Sequence, residues 1–144
     1  MSTLSPISCF QTQRTVGMVD TDFSGAVHIG ALIRMMEETE YAFLRSRGLS
    51  VVLSDEKGIL GFPRLSASIE LFNFAGFDED LLVELSLLEI DGKQIVYHFD
   101  VTMLLGKPIA SGQFRVACCR FPNGKPPYAI LTPANVVDAL TSKT

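Results

Sequence analysis

The 144-residue sequence contains no tryptophan, only two histidines and only three cysteines. Two histidines, without the Cys/His spacing of a zinc site, give no case for a metal centre. The cysteines (Cys9, Cys118 and Cys119) are odd in number, and adjacent cysteines rarely pair with each other. This usage favours a reduced, cytoplasmic chain.

Positive charge is also scarce. The net charge is −4 with a pI near 5.1, and no lysine- or arginine-rich cluster is present, so we expect no nucleic-acid partner. No run approaches the eighteen apolar residues of a membrane span, and the N-terminal segment lacks the basic start and apolar core of a secretion signal. We therefore expect no membrane partner. Phosphate loops, nucleophile elbows and dinucleotide fingerprints are absent, so we expect no cofactor.

The composition predicts one globular domain over residues 1–144. A hydrophobic fraction of 47% with 19% charged residues is enough for a sizeable core. The mean hydropathy of +0.28 indicates additional apolar surface that needs cover, for which an interface between subunits is one solution.

The strongest periodic pattern predicts an amphipathic helix over residues 32–47, with Gly48 as its stop. Glu40 falls inside the apolar stripe and Glu37 lies at its margin. A carboxylate on a buried face needs a partner. Either Glu40 pairs with Arg47 or lies in a subunit interface, or one of the two acids reaches an active site.

Alternating patterns predict strands over residues 10–19, 64–72, 81–90, 94–105 and 109–121. A Gly- and Pro-rich break covers 58–63, and turns are predicted at 91–92 and 106–108. Thr132 is expected to cap a short C-terminal helix, with Pro133 at its first position, that runs through Leu140. The pattern predicts an α+β fold in which one antiparallel sheet packs on one long helix. Such a sheet leaves a face or an edge to cover, which favours dimerisation.

Residues 19–30 join the first strand to the long helix and hold the main candidate for chemistry. Asp20, Asp22 and Ser24 are residues that turns and helix caps favour. A carboxylate ahead of a helix N-terminus could also attack a carbonyl or activate water, while free backbone N–H groups hold an oxyanion. His28 is either a general base or a capping residue, and His98 is expected to be structural.

Residues 14–48 resemble hot-dog-fold acyl-CoA thioesterases of the 4-hydroxybenzoyl-CoA thioesterase type. The matching features are Asp20-Thr-Asp22, Gly25, Val27, Glu37 and residues 43–48, without a gap. Residues 61–63, 77–79 and 110–118 are similar to later segments of the family. The resemblance implies a hot-dog fold, with a long central helix wrapped by an antiparallel sheet.

The resemblance also implies a function and a site. The fold would hydrolyse the thioester of an acyl-CoA or an acyl-carrier protein at sites formed between the subunits of a homodimer or homotetramer. Asp22 would be the nucleophile or general base, the backbone of Ile29 or Gly30 would hold the oxyanion, and Glu37 would organise the pocket. The expected substrate-binding residues are Gly25, His28, Leu32, Met36, Pro63 and Arg64.

Two alternatives on the same fold remain open. The chain could bind acyl-CoA without hydrolysing it, although no obvious DNA-binding extension is present. It could instead be a hydratase or dehydratase, for which His28 is present but the His-Phe-Pro-Gly motif is not. One departure from the thioesterase pattern is the segment after Val27, where many members carry Tyr-His-Ala-Asn-Tyr and this chain has His-Ile-Gly-Ala-Leu. Apolar Leu32, Met35 and Met36 suggest a fatty or polyketide-type acyl chain.

Overall fold

The computed structural model describes residues 5–142. It contains two helices, α1 (Ile29–Ser46) and α2 (Ala134–Thr141), and nine strands. The strands are β1 (Ser8–Thr15), β2 (Val52–Asp55), β3 (Gly58–Gly61), β4 (Arg64–Leu71), β5 (Asp80–Asp91), β6 (Gln94–Met103), β7 (Pro108–Ala117), β8 (Cys119–Phe121) and β9 (Tyr128–Ala129).

Five strands form a large antiparallel sheet in the order β1-β5-β6-β7-β4. Helix α1 lies across one face of this sheet and contributes the apolar side chains of its buried stripe to the core, together with alternate residues of β5, β6 and β7. The alternation predicted for β6 is confirmed from Tyr97 onward: Ile95, Tyr97, Phe99 and Val101 are all buried, while Val96 on the opposite face is buried as well. The predicted helix against an antiparallel sheet is also confirmed.

A second sheet, in the order β2-β3-β8-β9, was not expected from the sequence. Residues 58–61 read as a break because of their glycines, yet they form a strand whose neighbours are non-local. The single strand predicted over residues 109–121 is divided at Cys118 into β7 and β8, which belong to different sheets. Nothing local in the sequence marks that change of partner.

The short C-terminal helix is confirmed, with a different start. Pro133 rather than Thr132 is the N-cap, and the Thr132 N–H donates to the Gly92 carbonyl at 2.9 Å. Helix α2 packs on the core through Val136 and Leu140. Arg47 donates to the Ala139 carbonyl at 3.1 Å.

Three loops meet at one end of the large sheet. They are 16–28 between β1 and α1, 72–79 between β4 and β5, and 104–107 between β6 and β7. They meet because β1, β4 and β6 end at this edge and antiparallel β5 and β7 begin there. The candidate site lies in the first of these loops.

Candidate active site

The 16–28 loop is tied to the 72–79 loop by backbone hydrogen bonds. The Val16 N–H donates to the Glu79 carbonyl at 2.9 Å, and the Val27 N–H donates to the Ala75 carbonyl at 2.7 Å. An isolated antiparallel bridge joins Ala26 to Gly76. These bonds fix both ends of the segment that carries the two aspartates, so the loop has a defined shape before any ligand arrives.

Asp20 is the structural member of the pair of aspartates. Its side chain is only 7% exposed, forms an ion pair with the guanidinium of Arg34 on α1, and accepts the Gly17 N–H at 2.8 Å. Its backbone carbonyl accepts the His28 N–H at 2.9 Å. Asp20 therefore connects the short 3₁₀ turn at Met18–Asp20 to the start of the helix, as the turn-and-cap interpretation expects.

Asp22 is the exposed member of the pair. It opens a tight turn in which the Gly25 N–H donates to the Asp22 carbonyl at 3.0 Å, and Gly25 has a φ of +84°, which favours glycine. One carboxylate oxygen, Oδ1, accepts both the Ser24 N–H at 2.8 Å and the Ser24 hydroxyl at 2.5 Å. These two bonds hold the pKa of Asp22 below its ordinary value, and the bond from the Ser24 hydroxyl has the larger effect. The side chain is thus an ionised carboxylate facing solvent.

The turn brings Asp22 back beside the helix start. The Asp22 N–H donates to the Ala26 carbonyl at 2.9 Å, and Thr21 pairs with Val27, one residue before the helix cap. The sequence therefore folds so that the carboxylate and the first turn of α1 belong to one short, hydrogen-bonded unit.

His28 caps α1. Its Nδ1 accepts the Ala31 N–H at 3.0 Å, which puts the ring proton on Nε2, 3.4 Å from the Val19 carbonyl. Of the two alternatives for His28, the capping role is the one the structure presents. With Nδ1 occupied and Nε2 protonated, the neutral ring has no free lone pair with which to act as a base.

The first amides of α1 complete the arrangement. The Ala31 and Leu32 N–H groups are satisfied by His28. Among residues 5–142, no acceptor is found for the N–H groups of Ile29 and Gly30, as is usual for the first positions of a helix. Both residues are exposed. Such N–H groups, at the positive end of a helix dipole, suit an oxyanion.

Glu37 lies farther along the same helix, and Arg64, on β4, lies beside it. At 1.5 Å per residue, Glu37 is about 12 Å from Ile29 along the axis. Its side chain is 34% exposed, and its Oε2 lies 3.2 Å from Nη1 of Arg64, at the start of β4. Arg64 also pairs with the buried Glu40. Of the alternatives for Glu40, a pairing with Arg47 is not the one that forms, because Arg47 instead bonds carbonyls at the end of α2.

The remaining predicted site residues divide into two groups. Gly25 lies in the Asp22 turn, and Pro63, half-buried, immediately precedes Arg64. Leu32 and Met36 are fully buried in the core of the single chain, and their part in substrate binding stays a prediction. Met36 packs against β7 so closely that a Cβ at Gly112 would lie 2.6 Å from its Cε. Met35 is equally buried, so the argument for a fatty acyl chain loses its basis.

A cleft of about 380 Å³ opens beside the Asp22 turn, between the 24–26 and 74–79 segments. Another, of about 540 Å³, lies beside the small sheet, where Arg120 is paired with Asp55. Within residues 5–142, no three His, Cys, Asp or Glu side chains are grouped so as to hold a metal ion. In the same range, neither helix combines the length and apolar character needed to cross a bilayer.

Sequence reasoning missed two features of this region. The bond from Ser24 to Asp22 could have been found, because Asp-x-Ser is a common Asx-turn pattern. The pairing of Arg64 with Glu40 could not, since it joins residues from different elements and depends on how β4 lies against α1. The helix was expected from residue 32 but begins at Ile29, because the cap is a histidine rather than Ser, Thr, Asp or Asn.

Comparison with solved structures identifies the fold. The crystal structure of a 1,4-dihydroxy-2-naphthoyl-CoA thioesterase from Synechocystis matches with a TM-score of 0.79 and 22% identity, over 92% of this chain and 96% of that chain. An Asp-to-Asn mutant of 4-hydroxybenzoyl-CoA thioesterase, solved with 4-hydroxybenzoyl-CoA, matches with a TM-score of 0.78 and 16% identity, over 92% and 98%. The chain has the hot-dog fold of these thioesterases.

A comparison of sequences leads to the same group of proteins. The chain is 26% identical, over 117 residues, to a 1,4-dihydroxy-2-naphthoyl-CoA hydrolase from Synechocystis sp.. The match covers 81% of this chain and 85% of the relative. No family model matches the sequence. The similarity to hot-dog CoA thioesterases that was expected from residues 14–48 is confirmed.

Proposed function

We propose that this chain is a thioester hydrolase that acts on an acyl-CoA. The observation that carries the proposal is the unit formed by residues 20–30. There, an ionised Asp22 lies beside a helix start whose first two amides have no acceptor within residues 5–142. The named relatives hydrolyse CoA thioesters, and this unit supplies both groups that such a reaction needs.

In the proposed mechanism, the thioester carbonyl oxygen lies against the N–H groups of Ile29 and Gly30. Asp22 then either attacks the carbonyl carbon, forming an anhydride that water hydrolyses, or takes a proton from the attacking water. In both routes negative charge develops on the carbonyl oxygen, where the helix amides stabilise it, and the thiolate of CoA leaves. Ser24 orients the carboxylate by holding Oδ1, which leaves Oδ2 for the reaction.

For the acyl group, we propose an aromatic ring with a hydroxyl substituent. The relatives act on 1,4-dihydroxy-2-naphthoyl-CoA and 4-hydroxybenzoyl-CoA. Glu37, about 12 Å along the helix from the oxyanion site, offers a partly exposed carboxylate that could accept a hydroxyl from the far end of such a ring. A carrier-protein thioester is the alternative substrate.

We further propose that the working form is a homo-oligomer with sites between subunits. Strand β4 is an edge strand, paired on one side by β7, and its Leu65 is 48% exposed. The three loops at the site end expose eight large apolar residues, namely Met18, Val19, Phe23, Phe72, Phe74, Phe77, Leu104 and Leu105. Exposed apolar surface of this extent favours a partner. The described cysteines are all unpaired, which supports a cytoplasmic location.

The experiment is a thiol-release assay on a panel of acyl-CoA thioesters. The panel contains hydroxylated aromatic, unsubstituted aromatic and straight-chain acyl groups, together with the matching carrier-protein thioesters. We expect hydroxylated aromatic acyl-CoAs to have the highest kcat/KM and Asp22→Asn to abolish release. Binding without release would support the acyl-CoA-binding alternative, and light scattering that showed a monomer would contradict the shared site.

A further inference from the structure

Glu40 is a buried carboxylate in the middle of α1 that the proposed reaction does not use. It is 1% exposed and lies among apolar residues of the core, where an unpaired charge would be strongly unfavourable. Its Oε1 accepts a hydrogen bond from Nη2 of Arg64. The pair joins the long helix to the first residue of β4.

Arg64 is held on several sides. Its Cζ lies 4.8 Å from the ring centroid of Phe114 and 5.4 Å from that of Tyr41, so the guanidinium lies against two aromatic rings. Its Nη1 lies 3.4 Å from the Tyr41 hydroxyl and 3.2 Å from Oε2 of Glu37. The guanidinium thus connects the buried Glu40 to the partly exposed Glu37, three residues away on the same helix.

This arrangement makes the two acids interdependent. When both carboxylates are ionised, the guanidinium of Arg64 interacts with two negative charges. When Glu40 is neutral, the charge of Arg64 interacts with the charge of Glu37 alone. Burial raises the pKa of Glu40 to about 7, with the charge of Arg64 opposing that rise and the charge of Glu37 adding to it. The other titratable groups nearby are the hydroxyl of the fully buried Tyr97, which interacts with the charge of Glu40, and the hydroxyl of Tyr41, which contacts Arg64.

We propose that Glu40 is a positioning residue, which fixes the Arg64 guanidinium so that Arg64 in turn sets the position of the Glu37 carboxylate at the site. The inference rests on the proposed function, in which Glu37 contacts the acyl group. Glu40 itself does not touch the substrate. Its effect reaches the reaction only through the planar, two-pronged guanidinium of Arg64.

The kinetic test is a double-mutant cycle with Glu37→Gln, Glu40→Gln and the double variant. We expect Glu40→Gln to raise KM about tenfold with little change in kcat, and to have no further effect on KM in the Glu37→Gln background, because coupled residues are not additive. Glu38→Gln on the solvent side of α1 is the matched control, since Glu38 contacts Arg14 and Arg34 instead. An equal rise in KM in both backgrounds would overturn the proposal.

Two further readouts do not depend on turnover. Carboxyl NMR should show the Glu37 resonance changing its chemical shift over the pH range in which Glu40 ionises in the wild type, and that change should vanish in Glu40→Gln. The Tm should fall as pH rises from about 4.5 to about 7, since the folded protein binds the extra proton there, and Glu40→Gln should remove that fall.

These readouts distinguish a failure of the proposed function from a failure of the positioning role of Glu40. A wild type that hydrolyses no thioester contradicts the proposed function, while the NMR titration still decides whether Glu40 acts on Glu37. A Glu37 resonance that is the same in the wild type and in Glu40→Gln overturns the positioning role. Should Glu40→Gln fold poorly, Glu40→Asp provides the same test, because the shorter side chain keeps the charge but withdraws the carboxylate from Arg64.

Discussion

The two aspartates of the site loop, two residues apart, should respond to the same substitution in opposite ways. Asp20→Asn should lower stability and impair activity only in proportion to the loosened loop. Asp22→Asn should abolish hydrolysis and leave stability nearly unchanged. Asparagine is the matched replacement at both positions, because it preserves shape and removes the charge.

The magnitude for Asp20 follows from its contacts. The Asp20 carboxylate, 7% exposed, receives the Gly17 N–H and the Arg34 guanidinium, and asparagine must present an NH₂ group to one of these two donors. Loss of a hydrogen bond to a charged group costs about 1.5–3 kcal/mol, and the half-exposed Arg34 adds less than about 1 kcal/mol. We expect the free energy of unfolding to fall by about 2–3 kcal/mol. In a domain of this size that lowers Tm by about 6–10 °C.

Asp22 makes no comparable long-range contact. Among the residues that the structure describes, its side chain bonds only Ser24, and Asn can still accept through Oδ1. An amide is neither a nucleophile nor a base at neutral pH, so kcat/KM should fall by about 10²–10⁴-fold.

The assay pairs thermal unfolding with thiol release for both variants. A normal Tm for Asp20→Asn would refute the structural role of Asp20, and full activity in Asp22→Asn would refute the catalytic role of Asp22. A Tm loss of the same size in both variants would mean that the distinction between the two aspartates is wrong.

Two other predictions concern the neighbours of Asp22. His28→Asn should retain both Tm and kcat/KM, because the histidine acts as an N-cap and Asn is a good replacement in that role. A large loss of kcat at unchanged Tm would show that the imidazole ring takes part in the chemistry. Ser24→Ala removes the hydroxyl that contributes most to lowering the pKa of Asp22, so the acid limb of the kcat/KM profile should move to higher pH. An unchanged acid limb would mean that another group sets it.

Much of this fold was predictable because its main elements follow local periodicities. The apolar stripe of α1 and the alternation of β6 both depend on side-chain direction, which sequence spacing fixes. The small sheet was not predictable in the same way. Strands β3 and β8 are short and pair across more than fifty residues, so their partners are decided by tertiary packing.

The candidate site was likewise predictable where its residues are close together in the chain, and not where they come from different elements. Asp22, Gly25 and the helix start lie within eight residues, so their proximity follows from the chain itself. The burial of Glu40 also followed from its place in the apolar stripe. Its partner did not, since Arg64 is brought to it by the packing of β4, and Arg47, a nearby cation on the same helix, is drawn away by the end of α2.

The division between Asp20 and Asp22 explains how this loop can hold an exposed carboxylate in a defined position. A charged side chain on a flexible loop would sample many positions, and ordering it during the reaction would oppose catalysis. Here the ordering is complete beforehand, since Asp20, the His28 cap and the bonds to residues 75–79 hold the loop. Asp22 then needs only Ser24 to fix its orientation, and its remaining oxygen stays free. The residues that stabilise the loop are therefore distinct from the residue that we propose to react, which is why the two substitutions should separate stability from activity.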